Sequence, residues 1–239
     1  MKPSDIDALN ARFESGHAQD VLTYAVDRWG EKITLASSLG VEDQVLTHFL
    51  STISQKMDVF VLDTGRLHQE TYDVIEKTMT QYAFNYRILY PDHMAIQELI
   101  ESSGPNLFYQ SVAKRKACCH VRKVGPLGRA LTGYSAWITG IRRAQSVDRF
   151  NANFFEWDAA HGQVKINPLI KWSKSDVWDA IKRYDIPYNA LHDQGYPSIG
   201  CLPCTRPVSP GEDERSGRWW WEATEKKECG LHSDVRKES

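Results

Sequence analysis

Short apolar runs alternate with amphipathic stretches along most of the chain, and this alternation constrains the fold more than any other feature. Five runs have the length and composition of buried strands, and stretches with helical spacing of apolar residues separate them. The alternation predicts an α/β fold, with a mostly parallel sheet covered by helices on both faces. The predicted strands are Ile33–Ser37, Met57–Leu62, Asn85–Tyr90, Ala136–Thr139 and Val164–Ile166.

The predicted helices carry start and stop signals of their own. Ser4 and Ser173 are each followed three residues later by an aspartate, which predicts an N-cap at both positions. Gly125-Pro126 predicts a bend in the longest helix, because proline cannot continue the hydrogen-bond ladder. The predicted helices are Ser4–Glu14, Asp20–Trp29, one that opens at Val45–Leu50, His68–Tyr82, Ala95–Glu101, Tyr109–Leu131 and Ser173–Tyr184.

The character of the chain changes at Cys201, beyond which Pro, Gly and charged residues are frequent. We therefore expect a nucleotide-binding α/β domain over residues 1–200, which includes Cys118-Cys119. Residues 201–239 are expected to form a C-terminal, cysteine-bearing tail that belongs to the same folded unit, with a mobile end.

Composition excludes several function classes. The chain has 239 residues, 41% of them apolar, and a net charge of -2, which is typical of a globular protein and predicts no nucleic-acid partner. Nine basic residues and one acid lie between 111 and 150, which favours an anionic ligand, although a solvated helix face is the alternative. The sequence shows no signal peptide and no apolar run that could span a membrane, so we expect a cytoplasmic protein.

The five cysteines divide into four and one. Cys118 and Cys119 are adjacent, Cys201 and Cys204 form a C-x-x-C, and Cys229 stands alone. In a reducing compartment such pairs indicate metal or redox chemistry more often than disulfides. Adjacent helical residues point about 100° apart, which suits a [4Fe–4S] cluster better than one tetrahedral zinc ion. Buried structural cysteines are the remaining interpretation.

Two loops and several arginines have the chemistry of an anion site. Ser37–Asp43 follows a strand and precedes a helix, where backbone N–H groups and two serine hydroxyls can cradle an anion, although it lacks the Walker A pattern. Asp63-Thr64-Gly65 ends the second strand, and Arg142-Arg143 follows the fourth. Arg215 and Arg218 lie between the C-x-x-C and Cys229. Each arginine is otherwise explained as a solvated surface charge.

Cys229 lies in a polar, glycine-containing segment, Glu228-Cys229-Gly230-Leu231-His232. Burial as a small apolar residue does not fit this setting, so the thiol is a candidate nucleophile. His232 is placed to stabilise or accept charge beside it. An idle surface thiol is the alternative.

Taken together, these motifs resemble the assimilatory adenylylsulfate reductases of the phosphoadenylylsulfate reductase family. The resemblance covers about residues 30–233 and rests on both cysteine pairs and the terminal E-C-G-L-H. The motifs are Ser37–Asp43, Leu62–Leu67, Lys116–Cys119, Arg122-Lys123, Gly140–Arg143, Gly200–Thr205 and Glu228–His232.

The resemblance implies an adenine-nucleotide α-hydrolase-like fold and a defined chemistry. Cys229 would attack the sulfur of adenosine 5′-phosphosulfate, releasing AMP, and thioredoxin or glutaredoxin would then free sulfite. His232 would assist. Cys118, Cys119, Cys201 and Cys204 would hold the [4Fe–4S] cluster. The implied substrate-binding residues are Ser37, Ser38, Gly40, Glu42, Asp43, Leu62, Thr64, Gly65, Lys123, Arg142, Arg143, Arg215 and Arg218.

Other functions stay open at this point. The first is a reductase that uses 3′-phosphoadenosine 5′-phosphosulfate or accepts both substrates. The four paired cysteines favour the unphosphorylated one, because members that use the phosphorylated substrate commonly lack them. A zinc-bearing, ATP-using tRNA-thiolating or nucleotidyl enzyme is the second, and a non-catalytic cluster or zinc module that binds nucleic acid is the third. The sequence leaves a homo-oligomer open.

Overall fold

The computed structural model describes residues 3–54, 56–82, 86–146 and 149–222. Its central feature is a six-stranded sheet in the order β3-β2-β1-β4-β6-β5. The predicted α/β class is confirmed. The strands are β1 Ile33–Ser37, β2 Asp58–Leu62, β3 Arg87–Leu89, β4 Ala136–Ile138, β5 Phe155–Asp158 and β6 Gln163–Ile166.

The strands are linked mainly by helices. No helix in the described ranges is both long enough and apolar enough to span a bilayer. The α-helices are α1 Pro3–Arg12, α2 Ala18–Trp29, α3 Val41–Ile53, α4 Gln69–Tyr82, α5 His93–Ser103, α6 Val112–Cys119, α7 Gly125–Leu131 and α8 Lys174–Arg183, and a π-helical segment, His120–Val124, joins α6 to α7.

The register of the sheet places its centre at β1. Leu35 lies opposite Val59 of β2 on one side and Ile138 of β4 on the other, and both pairings are parallel. The chain builds outward from β1 in both directions, so the strand order reverses between β1 and β4. In open sheets of this kind ligands bind at the carboxyl ends of the strands beside such a reversal. The loops that follow β1 and β4 therefore lie where ligands bind in sheets of this kind.

The structure corrects the prediction at β5, at the start of α3 and at the N-terminus of α1, and it confirms one predicted cap. β5 was not predicted and runs antiparallel to β6. α3 begins at Val41 and not at Val45, because Val41 shares a buried helical face with Val45. The N-cap at Ser4 is wrong, since α1 already begins at Pro3, where the fixed φ of proline suits a first turn. The capping box at Ser173 is confirmed: its side chain accepts from the N–H of Asp176.

The long helix departs from α geometry earlier than the predicted bend. The N–H of Gly125 bonds to the carbonyl of His120, five residues back, at the end of the π segment. Pro126 has no N–H to offer the carbonyl of Arg122, so the regular i→i−4 ladder cannot continue there. The departure follows the cysteine pair directly and carries Arg122 and Lys123.

The chain divides into two compact units, each assembled from separated stretches. The first contains residues 1–61, 73–87 and 133–189, and the second contains 62–72, 88–132 and 190–239. The second unit has a core of its own that includes cysteines as well as aromatic and aliphatic side chains. Its buried members are Leu107, Phe108, Cys118, Cys119, Cys204 and Trp219.

Candidate functional site

In the first unit, Asp43 joins the loop after β1 to the loop after β4. Its carboxylate accepts hydrogen bonds from the backbone N–H and the hydroxyl of Ser38, at 2.7 and 2.6 Å. The backbone N–H of Gly140 also donates to it. Gly140 lies so close that a Cβ there would be 2.3 Å from Asp43 Oδ1. These bonds fix the loop that was predicted to hold an anion.

Glu42 makes a second link between the same two loops. Arg142 Nε donates to Glu42 Oε1 at 2.8 Å, and Gln145 Nε2 donates to the same oxygen at 3.0 Å. The Arg142 side chain is buried, with 4% of its surface exposed. Arg143 instead bonds the carbonyl of Ala152 at 2.7 Å. The two adjacent arginines therefore have different roles within this unit.

The partners of Glu42 and Asp43 determine the net charge at the start of α3. Both lie in the first turn of α3, where a helix end favours anions. Two free carboxylates there would repel a phosphate or sulfate group. Arg142 neutralises Glu42, and burial raises the pKa of Asp43 to about 6 even though bonds from Ser38 lower it. The pairing with Arg142 therefore makes the helix end less acidic than its sequence suggests, whereas Asp43, with a pKa of about 6, is still mostly ionised near pH 7.

The backbone of the loop after β1 has an unusual turn at Leu39. Its φ is 62°, in the left-handed region that a branched side chain rarely adopts. The Leu39 N–H donates to Ser37 Oγ at 3.1 Å, and the side chain is buried. Gly40 then precedes α3 in an extended conformation. Strain of this kind is retained where the surroundings hold it in place.

In the second unit, the loop after β2 contacts the cysteines. Thr64 Oγ1 lies 3.3 Å from Cys201 Sγ, and the Thr64 carbonyl accepts from Arg122 Nη1 at 2.5 Å. Gly65 has a φ of 69°, and its N–H donates to the Asp63 carboxylate at 2.7 Å. Leu62, Thr64 and Gly65 therefore belong to the same unit as the four paired cysteines.

The four paired cysteines line one cavity. Cys118 and Cys119 end α6, and Cys201 and Cys204 flank a single 3-10 turn in which the Cys204 N–H bonds to the Cys201 carbonyl. None of the four forms a disulfide. Four basic side chains line the same cavity, which gives it a positive wall around the thiols. They are Arg66, Arg115, Arg122 and Lys123.

Burial makes two of the thiols, Cys118 and Cys204, harder to ionise. Burial, together with the neighbouring Cys201 and Cys119, raises the pKa of Cys204 to about 12. Burial also raises the pKa of Cys118, although Arg122 opposes it. A bound metal centre reverses this effect, because it deprotonates a coordinating thiol outright. Four thiols in a cation-lined cavity therefore suit a thiolate-ligated group with net negative charge.

Within the described ranges, no three His, Cys, Asp or Glu side chains form a group that could hold one metal ion. One buried donor in the cavity wall also lacks a protein partner: Arg122 Nε makes no hydrogen bond. The donor set, four thiols with a basic wall, fits an iron–sulfur cluster by its chemistry.

Two of the three predicted cations of the second unit, Lys123 and Arg218, lie near these thiols. Lys123 lines the cavity. Arg218 is buried, and its Nη1 donates to Ser198 Oγ at 3.2 Å. Gly200 leaves room for it, since a Cβ there would be 2.3 Å from Arg218 Nη2. Arg215 is half-buried in the preceding turn. Cys229 and His232 lie outside the described residues, so their predicted roles stay predictions.

Sequence reasoning left three side chains out of the predicted site. Arg66 and Arg122 line the cysteine cavity although only their neighbours were chosen. The spacing signalled Arg122, which is three residues past Cys119 and so lies on the same side of a helix. Arg115 also lines the cavity and contacts Cys119. No local pattern distinguishes it from Lys114 and Lys116.

Comparison with known proteins agrees with this arrangement. Residues 32–207 match the model of the phosphoadenosine phosphosulfate reductase domain. A Burkholderia cepacia protein named adenosine 5′-phosphosulfate reductase is 47% identical over 89% of this chain and 85% of its own. One with the same name from Allochromatium vinosum is 51% identical over 84% of this chain and 79% of its own.

Solved structures share the fold. Phosphoadenylyl-sulfate reductase from Candida auris, in a phosphate complex, superimposes with a TM-score of 0.75 at 27% identity, covering 86% of this chain and 98% of its own. Candida glabrata FMN adenylyltransferase superimposes with a TM-score of 0.57 at 16% identity over 89% and 70%, which shows the fold alone. The predicted α-hydrolase-like architecture is confirmed. The matched domain spans most of the chain, and the chain belongs to the phosphoadenosine phosphosulfate reductase family.

Proposed function

We propose that this chain reduces adenosine 5′-phosphosulfate to sulfite and AMP in assimilatory sulfate reduction. The observation that carries the proposal is the cation-lined cavity that brings all four paired cysteines together and leaves Cys229 as the remaining thiol. Relatives that are 47 to 51% identical carry the name of this activity. The proposed reaction needs reduced thiols, which fits the cytoplasm.

Cys229 is the proposed nucleophile. Its thiolate attacks the sulfur of the substrate, a sulfur–sulfur bond forms, and the bond between sulfur and the phosphate oxygen breaks, so AMP leaves with the electron pair. His232, three residues on, is the proposed partner for charge at the thiol. The product on the enzyme is an S-sulfocysteine.

A protein dithiol completes the reaction. One thiolate of thioredoxin or glutaredoxin attacks the sulfur of Cys229 and releases sulfite, and its second thiol resolves the mixed disulfide. The dithiol is oxidised to a disulfide while the sulfate sulfur is reduced by two electrons. The reaction is therefore balanced without another reductant.

Binding needs groups that offset the negative charge of both the phosphate and the sulfate of the substrate. In the first unit, Ser37, Ser38 and Gly40 at the start of α3 are the proposed phosphate cradle, which Glu42 and Asp43 hold in shape through the loop after β4. Arg142 and Arg143 follow on that loop. In the second unit, the proposed contacts are Leu62, Thr64, Gly65, Lys123, Arg215 and Arg218. Cations of this kind offset sulfate charge during thiolate attack.

Cys118, Cys119, Cys201 and Cys204 are the proposed ligands of a [4Fe–4S] cluster. Bound there, the cluster would add local charge beside Lys123 and Arg218 and would hold the two cysteine segments together. Arg122, whose Nε lacks a protein partner, is placed to donate toward it.

The experiment is a reductant-free labelling reaction followed by intact mass measurement. Adenosine 5′-phosphosulfate should add one SO₃ group to the protein, and Cys229→Ser should add none. Thioredoxin should then release stoichiometric sulfite. Label retained in Cys229→Ser would remove Cys229 from the reaction.

The second candidate substrate is the 3′-phosphorylated form, because the matched domain and the Candida auris relative carry its name. A parallel labelling reaction with that substrate decides between them. We expect labelling with the unphosphorylated substrate to be at least about tenfold faster, a difference of one hydrogen-bonded or charged contact. Equal rates would establish a dual-substrate enzyme.

A further inference from the structure

A buried ion pair joins the helix that ends in Cys118-Cys119 to the last described residue. Arg115 Nε donates to Glu222 Oε1 at 2.9 Å, and Arg115 Nη2 donates to Glu222 Oε2 at 2.8 Å. The side chain of Arg115 is 0% exposed and that of Glu222 is 7% exposed. This is the two-point fork geometry that only arginine provides.

The pair also contacts the cysteine site. Arg115 touches Cys119, and its guanidinium lies 4.5 Å from the centre of the Trp219 ring. Arg218 lies 4.9 Å from the same ring. The Trp219 N–H donates to the Cys204 carbonyl at 3.1 Å. Glu222 is thereby fixed to both cysteine segments through a few side chains.

Stability alone does not explain such a pair. Removing two charges from water costs several kcal/mol per ion, so a buried pair is weak support for stability but strongly fixes geometry. The same unit contains an exposed counterpart, Arg206 and Glu212, whose side chains are 39% and 38% exposed. That exposed pair has the same chemical groups without the burial, and it provides a matched control.

The Arg115–Glu222 pair fixes the residue from which the chain continues toward Cys229. Six residues, 223–228, separate Glu222 from Cys229. We propose that Arg115 and Glu222 are positioning residues, which set the place and direction from which the segment that carries Cys229 starts. This inference rests on the proposed role of Cys229 as nucleophile.

The size of the effect separates positioning from simple tethering. If Glu222 were released, the next fixed residue would be Trp221, whose ring packs against Phe108 and Tyr109, and the connection to Cys229 would lengthen from seven residues to eight. A longer flexible tether lowers the effective concentration roughly as the −3/2 power of length, which is less than about twofold here. Loss of orientation costs more, commonly tenfold to a hundredfold. A tenfold slower labelling rate therefore indicates that the orientation of the Cys229 segment has been lost, because the longer tether alone would slow labelling by less than about twofold.

The test uses the full-length protein with its iron and measures single-turnover labelling of Cys229. Glu222→Gln should slow labelling at saturating adenosine 5′-phosphosulfate by at least tenfold. Iron content, and AMP affinity within twofold, should stay at wild-type values. Glu212→Gln, the control, should match the wild type in all three measurements.

A double variant then tests whether the two residues act through each other. Arg115→Lys should slow labelling as much as Glu222→Gln does, and the two changes together should cost no more than either alone. Rates that multiply would contradict the proposal. So would a Glu222→Gln rate within twofold of the wild type.

Two further outcomes are distinguishable. Loss of iron in Glu222→Gln would show that the pair supports the cysteine site, and Arg115→Met with Glu222→Leu, which leaves no lone buried charge, decides that case. If that variant keeps its iron and labels at the wild-type rate, the proposal is overturned. If the wild-type protein itself takes no label on Cys229, the proposed function fails instead.

Discussion

A buried carboxylate lies at the junction of two loops, where burial opposes its ionisation and hydrogen bonds favour it. Asp43 accepts two bonds from Ser38, yet burial raises its pKa to about 6. An aspartate in an unfolded chain has a pKa of about 3.9. The folded protein therefore holds this proton more tightly than the unfolded chain does.

This difference predicts a pH dependence with a definite sign. As the pH rises from about 4 to about 6, the unfolded chain ionises at this position first, so Asp43 lowers the free energy of unfolding by about 3 kcal/mol over that window and by no more above it. We expect Asp43→Asn to gain thermal stability relative to the wild type as the pH rises from 4 to 7.

Asp58 supplies a control of opposite sign. Burial raises its pKa, but bonds from Arg87 and Thr34 outweigh burial and hold it below the usual value. The stabilising effect of Asp58 is therefore present above pH 4 and lost below it. Asp58→Asn should lose stability relative to the wild type as the pH rises toward about 4, with no further change above that window. Two variants that shift in parallel would refute the assignment.

Among the elements, the first turn of α3 and the loop after β4 approach too closely for any side chain at Gly140. A Cβ there would be 2.3 Å from Asp43 Oδ1 and 2.9 Å from the Glu42 Cβ. We expect Gly140→Ala to lower the free energy of unfolding by about 1–3 kcal/mol, because the backbone must shift. Urea denaturation measures it.

The matched control is Gly128 in α7. A Cβ there would have no neighbour within 4 Å. Gly128→Ala should raise the free energy of unfolding by up to about 1 kcal/mol through helix propensity. Equal effects at both glycines would mean that the close approach at Gly140 does not constrain the loops.

Element prediction succeeded where a segment is governed by its own pattern. β1 has the predicted bounds because four consecutive residues, Ile33–Ala36, are apolar or β-branched and a glycine-containing turn follows. β5 was missed because Phe-Glu-Trp-Asp is short and half acidic, and its strand pairing depends on β6. The π segment was missed for a similar reason, since Pro126 predicts a disruption without its position.

For the molecule as a whole, we expect substitution of a paired cysteine and substitution of Cys229 to have different effects: the first should remove iron, and the second should remove the label. We expect Cys204→Ser to lose most of its iron and several degrees of thermal midpoint, because a bound metal centre stabilises the fold that presents its ligands. Cys229→Ser should keep its iron and its midpoint while it loses the label. Iron analysis, visible absorbance and calorimetry measure both.

An iron content that is unchanged in Cys204→Ser would contradict the proposed ligand set. Zinc in place of iron in the purified wild-type protein would contradict the cluster. Loss of iron in Cys229→Ser would show that the division into four and one is wrong.

The site was predictable in outline and not in detail. The parallel sheet and the polar loops that follow its strands were predicted from the alternation of elements, and the motif at Ser37–Asp43 identified one of those loops, whereas the strand order was not predicted. The grouping into units did not follow, because each is built from three separated stretches. Contacts such as that of Thr64 with Cys201 join positions 137 apart, which no local pattern encodes.

The distance along the chain between the two cysteine pairs has a consequence during synthesis. Cys201 is 82 positions after Cys119, so a ribosome that adds about 5–20 residues per second exposes the first pair of thiols for roughly 4–16 s before the second appears. Until then the first two of the proposed cluster ligands lack the other two and are open to oxidation or to the wrong ion. Loading of the proposed cluster can therefore be completed only after Cys204 has been made, and it depends on how well the cell protects the first two thiols in the interval.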